Sequence, residues 1–218
     1  MTPKISFAIT THNEGEYIQR LLDQLIPHCR ATGDEIVILD DYSDDQLTKE
    51  ILIGAFVEAG RTGSGWSMRW GSSRLNNDFA AHKNHLNGMC NGTYIFQIDA
   101  DEALHPDLLE NLHAVLDANE TVDLFAIPRV NTVEGLTEED IRRWGWRINE
   151  KGWVMFPDYQ TRLYRNSPDI KWEGKVHERI TGYKTMTPLP AEEEWSLYHG
   201  KTIERQRKQN EFYDTLGA

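Results

Sequence analysis

The sequence has few cysteines and no long apolar run. Its 218 residues include two cysteines, Cys29 and Cys90, which lie far apart without the spacing of a metal-binding motif. We therefore expect two buried thiols, and neither a disulfide framework nor a zinc site. The opening residues, MTPKISFAITTHNEGE, turn polar after one strand-length apolar stretch, and no later stretch has membrane-spanning length. These absences predict a single soluble, cytoplasmic domain.

Two common phosphate-binding loops are also missing. The glycine-rich stretch at 60–73, GRTGSGWSMRWGSS, has neither the Lys-Ser/Thr ending of a P-loop nor a GxGxxG pattern. This stretch is predicted to be a loop around a short strand, WSMRW (66–70).

Negative charge dominates the chain except in one segment. The net charge is −12, but residues 142–208 hold 14 Lys and Arg against 9 Asp and Glu, a net +5. The segment suits contact with an anionic acceptor. The alternative is that these basic residues only lie on a hydrated surface and balance part of the negative charge of the rest of the chain.

Strand and helix patterns alternate through the first 128 residues. Apolar runs predict strands at 4–10, 35–41, 93–99 and 122–128. Helical spacing predicts helices between them, one capped by Ser43 or Asp44 and others at 76–91 and 106–118. The pattern predicts an α/β fold with a mostly parallel sheet, whose ligands lie beyond the carboxyl ends of the strands. After Arg129 the chain becomes irregular until a helix predicted within 201–216.

Three polar clusters fall at that predicted sheet edge: residues 11–14, Asp40 with Asp41, and residues 99–102. Asp99 and Asp101, one residue apart, can share a hard divalent cation that also contacts a diphosphate. The alternative is that both aspartates are turn or cap residues. Three clusters at one edge favour the cation site.

Four segments together resemble family 2 of the inverting glycosyltransferases, which have the GT-A fold: AITTHNE, DEIVILDDYSDD, AHKNHLNGMCNGTYIFQIDADE and RLYRNSPDIKWEGKVHE. The resemblance covers roughly residues 4–180. It implies a Rossmann-like, mostly parallel central sheet flanked by helices, with an irregular C-terminal acceptor region. Residues 1–218 would form one domain, of which 1–128 bind the nucleotide sugar and 129–218 bind the acceptor.

The resemblance implies a set of nucleotide-sugar contacts. Base and ribose would be bound by Thr11, His12, Asn13 and Glu14. Asp41, with Asp40 beside it, would recognise the base and could accept from the N3–H of uracil. Lys83 stands where the family has arginine and would approach the diphosphate or base, without the bidentate fork of a guanidinium.

The family's DxD motif corresponds to residues 99–101. Asp99 would touch ribose or metal-bound water, Ala100 would line the nucleotide-sugar site, and Asp101 would ligate Mn²⁺ or Mg²⁺. His199, in LYHGKT, resembles a C-terminal histidine that several GT-A enzymes use as a metal ligand. Asp99, Asp101 and His199 thus form the expected metal set.

The remaining expectations concern catalysis. Glu178, at the end of WEGKVHE, is the predicted general base, with Asp158 in reserve. His177 would orient that carboxylate or bind phosphate, or is only structural. Trp172 would stack on a sugar of the acceptor, or belongs to the core. Arg162 would meet phosphates, or forms an ion pair.

The function expected from these residues is metal-dependent transfer of one sugar, with inversion, from a nucleotide-diphosphate sugar to an acceptor hydroxyl. UDP is the favoured nucleotide and a glycan such as lipopolysaccharide core the favoured acceptor. A hydroxymethylated base in viral DNA is an alternative acceptor, although no nucleic-acid reading motif is present. A non-catalytic nucleotide-sugar-binding module is the other alternative. Nucleotidyltransferases are disfavoured because no Gly-rich loop follows the first strand.

Overall fold

The computed structural model describes residues 5–61, 63 and 65–215. Lys4, where the first predicted strand begins, and Leu216, in the last predicted helix, lie outside these residues. The first half of the chain forms β1 (Ile5–Thr11), α1 (Gly15–Thr32), β2 (Glu35–Asp40), α2 (Gln46–Ala59), β3 (Ser67–Ser72), α3 (Phe79–Met89), β4 (Tyr94–Asp99), β5 (Glu102–Leu104), α4 (Pro106–Ala118) and β6 (Leu124–Ile127).

The second half has shorter strands and fewer helices. Its elements are β7 (Arg129–Glu134), α5 (Glu138–Trp144), β8 (Gln160–Arg165), β9 (Lys171–Glu173), β10 (Arg179–Thr181), β11 (Met186–Pro188), a 3₁₀ turn (Glu193–Trp195), β12 (Leu197–Thr202) and α6 (Ile203–Thr215). Among the described residues, no helix combines the length and apolar character that crossing a bilayer demands.

The main sheet of the described chain has seven strands in the order β11-β6-β8-β4-β1-β2-β3. Strands β3, β2, β1 and β4 are mutually parallel, and β8 runs antiparallel between β4 and β6. This arrangement confirms the predicted mostly parallel, helix-flanked α/β fold. The predicted strand WSMRW became β3, an edge strand of this sheet that extends to Ser72. Two strands of the sheet, β8 and β11, come from the second half of the chain.

The core forms because β1, β2 and β4 are apolar on both faces. All three are buried along nearly their whole length, as parallel strands covered by helices on each side must be. On one face, Phe7 and Phe96 pack with the α1 stripe that includes Leu21 and Leu25. Burial of each such side chain contributes about 1.5–3 kcal/mol. The carboxyl ends of these rigid strands therefore form a fixed edge for a site.

A smaller sheet brings the second half of the chain to this edge. Its order is β5-β12-β7, and β12 pairs with both neighbours. The register places His199 opposite Glu102 on one side and opposite Asn131 on the other. A histidine far along the sequence is thereby held one residue from the DxD segment.

The cap of α2 differs from the prediction. Asp45, rather than Ser43 or Asp44, accepts a hydrogen bond from the backbone N–H of Thr48 (2.9 Å). Ser43 is used elsewhere, because its hydroxyl donates to Asp40 Oδ1 (2.5 Å). Asp40 is the last residue of β2 and is buried, and its carboxylate accepts from the backbone N–H and hydroxyl of Ser43 instead of lining the cavity at the carboxyl ends of the strands.

Candidate active site

A cavity of about 720 Å³ opens at the carboxyl ends of β1, β2 and β4. It collects most of the side chains that the sequence singled out. The predicted residues that line it are Thr11, His12, Glu14, Asp41, Lys83, Asp99, Asp101, Asp158, Arg162, His177, Glu178 and His199. Asn13, Ala100 and Trp172 do not line it.

Asp101 and His199 face each other across the small sheet. His199 Nε2 lies 3.2 Å from Asp101 Oδ2, and both side chains are about nine-tenths buried. Burial alone would raise the pKa of the Asp101 carboxyl, but His199 and Arg205 outweigh it and hold that pKa below its usual range. Asp101 is therefore an anion at neutral pH.

Asn131 fixes the tautomer of His199. The Asn131 amide donates from Nδ2 to Asp158 Oδ2 (2.8 Å), which leaves its Oδ1 facing His199 Nδ1 at 3.0 Å. Because an amide oxygen only accepts, Nδ1 of His199 carries a proton. The Asp101 carboxylate also only accepts, so Nε2 donates to it in the protein without a cation, and a bound cation would take the place of that proton. A carboxylate and an imidazole whose other nitrogen is held by a second residue are a donor set that fits a divalent cation.

Asp99 does not join this pair. Arg162 Nη2 donates to Asp99 Oδ2 at 2.5 Å, and the Asp99 backbone N–H donates to Glu102 Oε2. Burial opposes ionisation of Asp99, but the positive charges of Arg162 and Lys83 bring its pKa well below the usual range. The three expected ligands therefore do not converge: Asp99 pairs with Arg162, whereas Asp101 and His199 stay together, with Arg205 Nη2 also 3.0 Å from Asp101 Oδ2.

Glu102 holds the arginines beneath the cavity. Its fully buried carboxylate accepts from Arg129 Nη1 (3.0 Å) and lies 3.4 Å from Arg162 Nη2. Arg162 is thus an ion-pairing residue, as one reading of the sequence allowed, and it also lines the cavity. Two of its buried nitrogens, Nε and Nη1, have no hydrogen-bond partner among the described residues.

The predicted base, Glu178, forms an ion pair with Lys83. Lys83 Nζ lies 2.7 Å from Glu178 Oε1, and both side chains are largely buried in the cavity wall. The backbone before Glu178 is fixed by a left-handed residue, His177 (φ 54°), which also lines the cavity. Lys83 thus orients the carboxylate rather than standing free for a diphosphate.

Asp158 is a poor candidate for the reserve base. Its Oδ2 accepts from two nitrogens of Arg129 (3.0 and 2.7 Å) and from Asn131, and its Oδ1 accepts from Gln160 (3.0 Å). Burial would raise the pKa of Asp158, but Arg129 and these donors lower it. A carboxylate stabilised in this way is a weak base. Asp158 instead holds the side chains of Arg129 and Asn131 in position.

Trp172 and Ala100 belong to the core, which for Trp172 is the second of the two readings of the sequence and for Ala100 differs from the expected place in the nucleotide-sugar site. Trp172 is 5% exposed, and its indole Nε1 donates to Tyr164 Oη (3.0 Å). Lys83 Nζ lies 4.5 Å from the centre of its ring. The ring face is thus covered and does not offer a surface to a sugar. Ala100 is 1% exposed within the main core cluster.

Residues at the end of β1 and in the turn after it have two roles: Asn13 stabilises the turn, and Thr11 lines the cavity. Asn13 adopts a left-handed conformation (φ 55°), and its side-chain oxygen accepts from the backbone N–H of Asp44 (2.8 Å) and Asp45. Asn13 therefore joins the turn to the start of α2 instead of lining the nucleotide site as expected. Thr11 lines the cavity with a buried hydroxyl that has no partner among the described residues.

Glu14 is the most perturbed acid of this turn. It accepts from Arg205 Nη2 (2.7 Å), and the same nitrogen lies 3.0 Å from Asp101 Oδ2. Burial and the negative charge of Asp101 together raise the pKa of Glu14 to about 7, although Arg205 acts in the opposite direction.

Several cavity residues were not foreseen from the sequence. They are His82, Arg129, Asn131, Gln160, Lys201 and Arg205. The clustering of basic residues in 142–208 hinted at Lys201 and Arg205. Arg129 and Asn131 had no local signal, because their place depends on the pairing of β7 with β12.

A family model described as "Glycosyl transferase family 2" matches residues 6–187. The chain belongs to glycosyl transferase family 2. Membership confirms the family suggested by the four segments and, with it, the prediction that the chain is of the glycosyltransferase class.

Named relatives agree with this family. The SPbeta prophage-derived glycosyltransferase SunS of Bacillus subtilis (strain 168) is 24% identical over 200 residues, which are 91% of this chain and 40% of SunS. The glycosyltransferase SunS of Bacillus phage SPbeta matches to the same extent. The chain thus spans well under half the length of these curated relatives.

Solved structures support the GT-A-like fold of this family 2 chain. S. aureus TarS 1–349 in complex with UDP-GlcNAc has a TM-score of 0.56 at 15% identity, covering 91% of this chain and 58% of that one. The complex of TarS 1–349 with UDP has a TM-score of 0.54 at 14% identity, covering 90% and 60%. At this identity the likeness shows the fold.

Proposed function

We propose that this family 2 domain transfers one sugar from a UDP-sugar to an acceptor hydroxyl, with inversion and with a divalent cation held by Asp101 and His199. The observation that carries the proposal is the 3.2 Å approach of Asp101 Oδ2 to His199 Nε2 at the wall of the cavity. The UDP and UDP-GlcNAc bound to the TarS structures support the choice of donor.

The cation site is proposed from the chemistry of its ligands. Bound Mn²⁺ or Mg²⁺ would offset the charge that develops on the departing diphosphate. Asp101 would contribute a carboxylate oxygen and His199 would contribute Nε2, while Asn131 holds the imidazole ring through Nδ1. Asp99 has a different task in this proposal, which is to anchor Arg162 beneath the donor.

Donor recognition is proposed for the polar atoms that the protein leaves unpaired. Arg162 Nε and Nη1 are donors suited to diphosphate or sugar oxygens, and Thr11 Oγ1 is suited to a ribose hydroxyl. Asp41 lines the cavity beside His12 and is the proposed contact for the uracil base. The Asp41 carboxylate is itself held by the backbone N–H of Leu75 (3.0 Å), which restricts its orientation.

Glu178 is the proposed general base. It would take the proton from the acceptor hydroxyl while Lys83, 2.7 Å away, keeps the carboxylate in place and stabilises its charge before transfer. Inversion follows in this proposal because the hydroxyl attacks the anomeric carbon from the side opposite the leaving diphosphate, in a single displacement. His177 lies next to this base at the cavity wall.

A glycan such as lipopolysaccharide core is the proposed acceptor class. The +5 charge of residues 142–208 favours an anionic glycan, and several of its basic residues, including Lys201 and Arg205, line the cavity. Transfer to glycan acceptors but not to duplex DNA containing hydroxymethylated bases would support this choice. The reverse preference would replace it.

The metal assignment is tested with UDP-sugar turnover, measured as UDP release with and without Mn²⁺. We expect Asp101→Asn and His199→Gln to lower kcat/KM by about 100-fold or more, because each removes a metal ligand. Asp117→Asn, an exposed aspartate on α4, is the control and should behave like wild type. Turnover that persists in EDTA, or wild-type UDP affinity and turnover in Asp101→Asn, would contradict the proposal.

A further inference from the structure

Three metal-binding side chains converge at the other edge of the main sheet, away from the cavity. They are His28 near the end of α1, Asp34 just before β2, and His113 on α4. Among the described residues, these three alone form a group of His, Cys, Asp and Glu side chains whose candidate ligand atoms all lie within 4.8 Å of one another.

The two imidazoles point the same nitrogen at the same oxygen. His28 Nε2 lies 3.2 Å and His113 Nε2 lies 2.6 Å from Asp34 Oδ2. The side chains are 11%, 17% and 1% exposed for His28, His113 and Asp34 respectively. The other carboxylate oxygen, Oδ1, accepts from the backbone N–H of Ile5 (2.8 Å), so Asp34 is fixed in orientation.

Asp34 Oδ2 is the point at which the cluster converges. Both imidazoles approach Oδ2, and the Thr32 hydroxyl can donate either to Asp34 Oδ2 (2.9 Å) or to the His28 backbone carbonyl (3.0 Å). A cation bound by Asp34 Oδ2 would take the place of the two imidazole protons at this oxygen. Thr32 keeps its hydrogen bond, while both imidazoles turn a lone pair toward the cation instead of a proton toward the carboxylate.

We propose that His28, Asp34 and His113 form a structural site for a first-row transition-metal ion, most simply Zn²⁺. Two imidazole nitrogens and one carboxylate oxygen suit Zn²⁺, with water completing the coordination, better than they suit the oxygen-preferring Mg²⁺. The ion ties α1 and α4 to the amino ends of β1 and β2. This inference stands independently of the proposed function, since none of its residues lines the cavity.

The test is Zn²⁺ binding by the full chain without an affinity tag, measured by competition with a chromophoric chelator. Wild-type protein is expected to bind one Zn²⁺ at this site, with a rise in thermal midpoint. His28→Gln and His113→Gln should each lower the affinity by at least about tenfold. Glutamine is chosen because its amide still donates to Asp34 and so preserves the fold. His85→Gln, an exposed histidine on α3, is the matched control.

A second variant separates this site from the cavity. Zn²⁺ binding that is lost in His199→Gln but kept in both cluster variants would overturn the proposal, as would the absence of Zn²⁺ binding to wild type. X-ray absorption at the zinc edge of wild-type protein needs no variant at all. Two imidazole ligands are expected, and a first shell of oxygen alone would overturn the assignment.

Discussion

The ion pair between Lys83 and Glu178 decides what a mutation of the base should do. Glu178→Gln keeps a hydrogen-bond acceptor 2.7 Å from Lys83 Nζ but removes the group that takes up a proton. We expect kcat for sugar transfer to fall by roughly 10²- to 10⁴-fold, with the dissociation constant for the UDP-sugar nearly unchanged. Initial-rate kinetics and calorimetric donor binding measure the two quantities.

The matched control for this base is Glu173→Gln, an exposed glutamate on β9 near the same loop. Its turnover should equal that of wild type. Comparable losses of donor affinity and turnover in Glu178→Gln would indicate that the Lys83 pair is only structural.

Glu14 makes stability depend on pH around neutrality. Its pKa is raised from the ordinary 4.5 to about 7 by burial and by Asp101, so between these values the folded protein holds a proton that the unfolded chain releases. Stability contributed by this group is therefore present at low pH and is lost as pH rises to about 7. Between pH 5 and 8, the free energy of unfolding should fall by about 2–3 kcal/mol more in wild type than in Glu14→Gln.

Chemical denaturation in EDTA at a series of pH values checks this expectation, since a bound cation would alter the charges around Asp101. The two proteins share all other titrating groups, so their difference isolates Glu14. Parallel stability curves would show that Glu14 ionises normally.

At the scale of elements, α6 is fastened to the rest of the site by Arg205. Its guanidinium contacts Glu14 after β1 and Asp101 after β4, and it stacks over the Tyr17 ring of α1 at 4.7 Å. One side chain thus joins the last described helix to two strands of the parallel sheet. Arg207, on the same helix, binds Asp140 of α5 (3.0 Å).

Loss of Arg205 should loosen this helix before it affects the sheet. Hydrogen bonds to charged groups contribute about 1.5–3 kcal/mol, so Arg205→Ala should speed amide hydrogen exchange in α6 by roughly tenfold or more. Exchange in β1 and β4 should be much less affected. Lys208→Ala, an exposed position on α6, is the control. Equal protection of α6 in both variants would mean that Arg205 does not hold the helix.

At the scale of the whole molecule, Glu102 connects the two halves of the chain. It lies beside the DxD segment and pairs with Arg129 of β7 and Arg162 of β8, both from the second half. Removing its charge leaves two nearly buried guanidinium groups with less compensation. Glu102→Gln should therefore lower the free energy of unfolding by about 3–5 kcal/mol.

Urea denaturation of Glu102→Gln beside Glu110→Gln, an exposed site on α4, measures this cost. A loss below about 1 kcal/mol would show that Asp99 and Asp158 alone suffice to balance the arginines. A transition that splits into two steps in the variant would show that Glu102 makes the two halves unfold together.

The sequence by itself determined the alternation of strands and helices and the edge at which the site lies. Apolar runs such as 35–41 and 93–99 are local signals, and the polar residues that follow parallel strands must share one edge. The same local motifs placed Thr11, His12, Asp41, Asp101 and Glu178 among residues that line the cavity. The family followed from these motifs in their order along the chain.

Only the tertiary structure decided which charges meet. Asp99 pairs with Arg162 across 63 residues, Asp101 approaches His199 across 98, and Lys83 reaches Glu178 across 95. Local sequence sets whether a side chain is polar, but its partner depends on strand order and register, here on β8 beside β4 and β12 beside β5. The burial of Trp172 and Ala100 was decided in the same way. Both side chains pack against segments distant in the sequence, and the local motifs do not show this packing.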